Sequence, residues 1–184
     1  MASPLGHSIA VLAIGRFFPK TITSIKFWIL GIACSVLPDG DVIGFKLGIP
    51  YEHMLGHRGL THSLLFALLI GIFVTILFYR STKLLSKQGI SLVIFFTLCT
   101  ASHGLLDAMT TGGLGVAFFA PIDNTRYFFS FRPIAVSPLS ISQFFGEWGW
   151  RVIKSELVWV GIPYLIIMFL HITIGRTLKR QNAK

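Results

Sequence analysis

Charge is what this sequence has least of. Asp, Glu, Lys and Arg make up 12% of its 184 residues, about half the share of a soluble domain. With 53% hydrophobic residues and a mean hydropathy of +0.74, that scarcity excludes an ordinary soluble protein and points to an integral membrane protein. Cysteine is nearly absent. Cys34 and Cys99 both lie inside apolar runs, which excludes a disulfide framework and a thiolate metal site and leaves them as buried small residues. Internal repeats and low-complexity tracts are also missing. The N-terminus lacks a basic region and a small-residue cleavage site, so the first apolar segment is expected to be retained. The net charge of +9 does not indicate nucleic acid, because the basic residues sit beside apolar segments, as positive-inside anchoring requires.

The length suits a single integral membrane domain over residues 1–184. Hydropathy predicts an all-α polytopic bundle of about five segments. Segment one (Leu5 to Phe18) and segment two (Thr23 to Leu37, stopped by Pro38) are short for a crossing, which takes about 20 residues. Leu60 to Tyr79 and Leu157 to Gly175 are expected to span, and Ile90 to Met109 turns polar in its second half. Residues 110–156 form a long extracytoplasmic or interfacial region. Within it, Ser140 to Lys154 mixes Phe144, Phe145, Trp148, Trp150 and Val152 with Glu147, Arg151 and Lys154, the pattern of an amphipathic segment in the interface.

The basic residues cluster at Arg16, Lys20 and Lys26, at Arg80, Lys83 and Lys87, and at Arg176, Lys179, Arg180 and Lys184. With five alternating segments these clusters share one side, which becomes the cytoplasm. The opposite face then receives His7, the stretch from Asp39 to His62, and the His103–Asp107 end of segment four. Four of the six histidines and three of the seven acidic residues thereby converge. Such groups are costly near lipid unless compensated, and imidazoles and carboxylates are the usual ligands of zinc, manganese or iron. His103 and Asp107 share a helix face one turn apart. Asp39 and Asp41 follow Pro38 in a turn, and His57 and His62 flank Gly59. The candidate metal ligands are therefore His7, Asp39, Asp41, His57, His62, His103 and Asp107. Seven exceed the needs of one tetrahedral zinc, so two ions, or one ion with an acid/base pair, would use them better. Asp39 or Asp41 is the candidate general base. Arg126 and Arg132, with Arg58 as a third, are cations on the site side and suit phosphate oxygens. Glu52 and His53 lie nearby without distinctive spacing, and His171 falls at the opposite end of segment five.

Several motifs occur in order: Pro38-Asp39-x-Asp41, His57-Arg58-Gly59-x-Thr61-His62-Ser63, Ser102-His103-x-x-x-Asp107-x-x-Thr110-Thr111-Gly112-Gly113, and Arg126-Tyr-Phe-Phe-x-x-Arg132-Pro133-Ile-x-Val136-Ser137-Pro138. Over nearly the whole chain they resemble the YdjM family of bacterial inner-membrane proteins, to which metal-dependent hydrolysis is assigned by prediction. A more distant likeness, through the His-x-x-x-Asp helix, is to zinc-dependent phospholipases C. The resemblance implies hydrolysis of a phosphoester in a membrane lipid or lipid-linked phosphate, with one or two divalent ions, zinc first, activating water. The alternatives from other classes are a metal-ion carrier or sensor and a non-catalytic membrane protein stabilised by its metal.

Overall fold

The computed structural model describes residues 1–138 and 140–181. The described residues are helices, turns and loops without a strand, and isolated bridges join Thr110 to Ile134 and Val116 to Tyr127. The elements are α1 (Pro4–Gly15), α2 (Ile25–Val36), α3 (Ile43–Lys46), α4 (Leu64–Phe78), α5 (Lys87–Ala108), α6 (Ile141–Phe144), α7 (Glu147–Glu156) and α8 (Ile162–Gln181), with 3-10 turns at Leu37–Val42 and Leu60–His62. Serine starts four of the helices in the same way. Ser3, Ser24, Ser63 and Ser86 each sit in extended backbone and accept a hydrogen bond from the amide three residues on, satisfying a donor the helix cannot.

Among the described residues, three helical stretches are long and apolar enough to cross a membrane: Ile25–Lys46, Lys87–Ala108 and Glu147–Ile174. They depart from the sequence expectation in informative ways. Pro38 does not stop segment two. It occupies the first turn of the 3-10 helix, where a missing N–H costs nothing, and the chain runs on through α3 to give 22 residues. Segment three is shorter than expected. Residues 60–62 are spent on the 3-10 turn and Ser63 caps α4, leaving 15 helical residues, about 22 Å of rise against a hydrocarbon core of roughly 30 Å. The amphipathic segment and the last span are one object, because α7 continues through a π turn at Leu157–Gly161 into α8. Trp148 and Trp150 are exposed on α7 while Val152 is buried. In the basic tail, Lys184 lies outside the described residues, as do the side chains of Arg176, Lys179 and Arg180.

Helix α5 is the axis against which α1, α2 and α4 pack. Val11, Phe27, Val74, Leu92, Phe95 and Phe96 form the core with Cys34 and Cys99, which are free and buried as expected. Phe27 stacks on Phe95 with centroids 3.6 Å apart. Outward residues of α4 and α8, among them Leu69, Phe73, Ile166 and Phe169, stay exposed, the surface that lipid would cover. Helices α4 and α5 approach so closely at Gly71 that an added Cβ would lie 2.2 Å from Thr97 Oγ1 and 2.7 Å from the Val93 carbonyl. Small residues permit such contacts between membrane helices. Gly71→Ala is therefore expected to destabilise the fold by about 1–3 kcal/mol. Thermal unfolding in detergent checks this, and an unchanged midpoint would disprove the tight contact.

Candidate metal centre

The site forms where four helix ends and turns meet. The 3-10 turn after α2 contributes Asp39 and Asp41, and the turn before α4 contributes His62. The last turns of α5 supply His103 and Asp107, and the first turns of α1 supply His7. His7, His103 and Asp107 are fully buried, His57 and His62 nearly so. Ligand atoms of Asp39, His62, His103 and Asp107 all lie within 4.8 Å of one another.

The hydrogen bonds around the two central histidines fix their chemistry. His103 Nδ1 is 2.7 Å from the Ser35 carbonyl oxygen, which can only accept, so Nδ1 carries the proton and Nε2 presents a lone pair. His62 Nδ1 faces Asp41 Oδ2 at 3.2 Å, which likewise directs its Nε2 lone pair inward. This is the arrangement that orients a metal-ligating imidazole. The two Nε2 atoms then face each other at 3.1 Å. Two lone pairs at that distance repel, and a shared proton or a metal cation between them removes the conflict. Asp39 Oδ1 completes a triangle, 3.2 Å from His103 Nε2 and 3.7 Å from His62 Nε2. Edges of about 3.3–3.6 Å are what bonds of 2.0–2.2 Å produce around a tetrahedral ion. Both oxygens of Asp39 are buried without a hydrogen-bond partner, as is fitting for a carboxylate that awaits a cation. The donor set fits a divalent ion.

Asp107 stands slightly further back. Its Oδ2 is 3.7 Å from His62 Nε2 and 4.0 Å from His103 Nε2, and 2.9 Å from Arg58 Nε. Its Oδ1 accepts from the Ala2 amide at 2.7 Å. Arg58 is fully buried and adopts a left-handed backbone with φ of 63°, a conformation unfavourable for a side-chain-bearing residue and concentrated at functional sites. Its guanidinium also donates to the Gly112 carbonyl at 2.9 Å and to Thr110 Oγ1 at 3.0 Å. Gly113, with φ of +91°, leaves the space this guanidinium needs, since a Cβ there would come within 2.6 Å of Arg58 Nη1.

The other expected site residues fall into a surrounding layer. His7 stacks on His103 with centroids 3.9 Å apart and an interplanar angle of 12°, and its Nε2 is 3.7 Å from Asp107 Oδ1. Asp41 and His57 meet at 2.6 Å through Oδ1 and Nδ1. Arg126 does not point at the carboxylates. Its terminal nitrogens donate to the carbonyls of His57 at 2.9 Å and Tyr51 at 2.8 Å, so it staples the 51–57 loop over the site. Partial burial lowers its pKa, though not enough to discharge an arginine. Arg132 is exposed and sits over the Phe128 ring at 4.6 Å. His53 hydrogen-bonds locally, accepting from the Leu55 amide, and His171 is exposed on α8.

Two contributors escaped the sequence reading. Tyr51 packs edge-on against His57 at 5.3 Å, and burial raises its phenol pKa, keeping it a donor. Glu156, fully buried, accepts from the amide and hydroxyl of Ser3 and so anchors the start of α1 that carries His7. A lone carboxylate at the edge of the last apolar run was the available signal.

Comparison with known proteins agrees with this picture at the level of the whole chain. The family model described as YdjM inner membrane protein matches residues 1–181. The chain is 35% identical over 168 residues to the inner membrane protein YbcI of Escherichia coli (strain K12), covering 91% of this chain and 95% of that protein. No solved structure matches it.

Proposed function

The chain belongs to the YdjM family of inner membrane proteins, and we propose that it is a membrane-embedded metal-dependent hydrolase of a phosphoester in a lipid or lipid-linked substrate. The observation that carries the reading is the pair of inward-facing Nε2 atoms of His62 and His103, 3.1 Å apart beside the Asp39 carboxylate, whose oxygens have no hydrogen-bond partner. A divalent ion held by Asp39, His62 and His103 would lower the pKa of a water and polarise a phosphoryl oxygen. Two imidazoles with carboxylate oxygens form a ligand set open to zinc, manganese and iron alike.

The chain's own residues supply the rest. Asp107, drawn back by Arg58, stands at the fourth ligand position, where it can bind the ion or accept a proton. Asp41 accepts from His57 Nδ1, which leaves His57 Nε2 as a proton-accepting atom in a carboxylate–imidazole couple. Arg126 holds the loop that carries His57. Arg132, exposed beside Phe128, is the arginine able to meet a lipid phosphate. The five helical segments cross as a bundle, with the two short ones thinning the membrane locally. The clusters at Arg16–Lys26 and Arg80–Lys87 set the cytoplasmic side and leave the metal centre on the extracytoplasmic face.

One observation favours a second reading, a metal-stabilised protein without chemistry: four protein ligands lie within reach, the number that closes a structural zinc site. Assay of the purified protein against phospholipids, polyprenyl phosphates and carboxylic-ester lipids separates the two. The expected result is release of a phosphate-bearing product that a chelator stops and zinc or manganese restores. Full metal occupancy with no turnover across the panel would favour the structural reading.

A further inference from the structure

Resting on the reading of this cluster as a metal site, we infer that it holds one divalent ion rather than two, and that Asp41 is a positioning residue for the ligand His62 and not a ligand of a second ion. Asp41, His57 and His62 are close enough to suggest a second centre. Their hydrogen bonds argue against it. Asp41 Oδ1 faces His57 Nδ1 at 2.6 Å. Asp41 Oδ2 accepts from the Arg58 amide at 3.1 Å, from Thr61 Oγ1 at 2.6 Å and faces His62 Nδ1 at 3.2 Å. Four donors on one carboxylate use essentially its whole accepting capacity. Neither Asp41 oxygen lacks a hydrogen-bond partner, whereas both buried Asp39 oxygens do.

The histidines agree. A second ion would need His62 Nδ1, but that atom already faces Asp41 Oδ2 and lies 3.0 Å from Thr61 Oγ1. His57 Nδ1 is likewise committed to Asp41. Taking Asp41 as a ligand would disrupt its hydrogen bonds from the Arg58 amide and the Thr61 hydroxyl, two part-buried donors.

The consequence is a split between ligands and holder. Asp39, His62 and His103 meet the ion. Asp41 fixes the His62 tautomer and ring plane, as outer partners of metal-bound histidines do. Metal analysis of the purified chain reconstituted with excess zinc, then with Mn(II) and read by electron paramagnetic resonance, provides the test. One ion per chain and the signal of isolated Mn(II) are expected. Asp41→Asn should keep that stoichiometry and weaken zinc binding about 10–100-fold. Thr61→Val, which removes one donor to Asp41 and leaves every ligand in place, should weaken it less and guards against a variant that fails to fold. Two ions per chain, a spin-coupled manganese pair, or unchanged affinity in Asp41→Asn would each overturn the inference while leaving a metal-dependent site intact. A chain that takes up no ion would overturn both this inference and the proposed function.

Discussion

His103→Ala and Asp39→Ala should each insert in the membrane normally yet lose the ion and all hydrolysis. Removing an outer partner of a metal-bound histidine costs about 10–100-fold in affinity, so loss of a ligand should exceed about 100-fold. The two variants should nevertheless part company in stability when a chelator is present. Asp39 is a buried carboxylate with no hydrogen-bond partner on either oxygen, lying in the same cluster as Asp107. Deleting it removes a desolvated charge, and the metal-free variant should unfold at a temperature equal to or above that of the metal-free wild type. His103 is different. Its Nδ1 proton satisfies the Ser35 carbonyl, its ring stacks on His7, and it is fully buried. Its loss leaves a cavity and an orphaned acceptor, for a cost of roughly 2–4 kcal/mol. Thermal unfolding with and without chelator, alongside metal content, reads both effects. Full metal occupancy in both variants would end the ligand assignment, and identical metal-free stabilities would end the account of Asp39.

Why the sequence gives away the cluster but not its internal order follows from how the groups reach one another. Asp39, His62, His103 and Asp107 are polar residues at the ends of apolar runs, and alternation of the segments alone puts them at one face. That argument needs only hydropathy and the positions of basic residues. The proposed division between ligands and holder is not local. Asp41 differs from Asp39 by two positions on one 3-10 turn, and only the packing of the 57–62 segment against it decides which carboxylate is saturated with donors and which is left bare. The arginines separate for the same reason. Arg126 and Arg132 look alike in a loop, yet Arg126 donates to the carbonyls of Tyr51 and His57 while Arg132 stays exposed. Meanwhile Arg58, between His57 and Gly59, is turned inward by a left-handed φ that no hydropathy pattern reveals. Helix limits fail where backbone chemistry competes with hydropathy. Pro38 reads as a stop but begins a turn, and residues 60–63 read as a span but form a turn and a cap.

Arg58→Ala should be the most destabilising single change at the site. The guanidinium is fully buried, 2.9 Å from Asp107 Oδ2, and it satisfies the Gly112 carbonyl and Thr110 hydroxyl. Removing one member of a buried ion pair strands the other, at a cost of about 3–5 kcal/mol. The charge left behind is Asp107, already within the same cluster as Asp39, with the N-terminal ammonium at 3.9 Å as its next cation. Alanine also retains the strain of the left-handed backbone, which glycine would not. Arg58→Gly should therefore be the milder truncation, by about 1 kcal/mol. Arg58→Lys keeps the charge but cannot reproduce a fork that reaches Asp107, Gly112 and Thr110 together, and should fall between wild type and either truncation. Because an ion at the centre also neutralises Asp107, added zinc should recover more stability in Arg58→Ala than in the wild type. The reading is the unfolding midpoint of the four proteins with zinc and with chelator. If Arg58→Ala unfolds with the wild type, or if zinc stabilises both equally, Arg58 is not the counter-charge of Asp107, and the pairing that holds this carboxylate at the fourth ligand position fails with it.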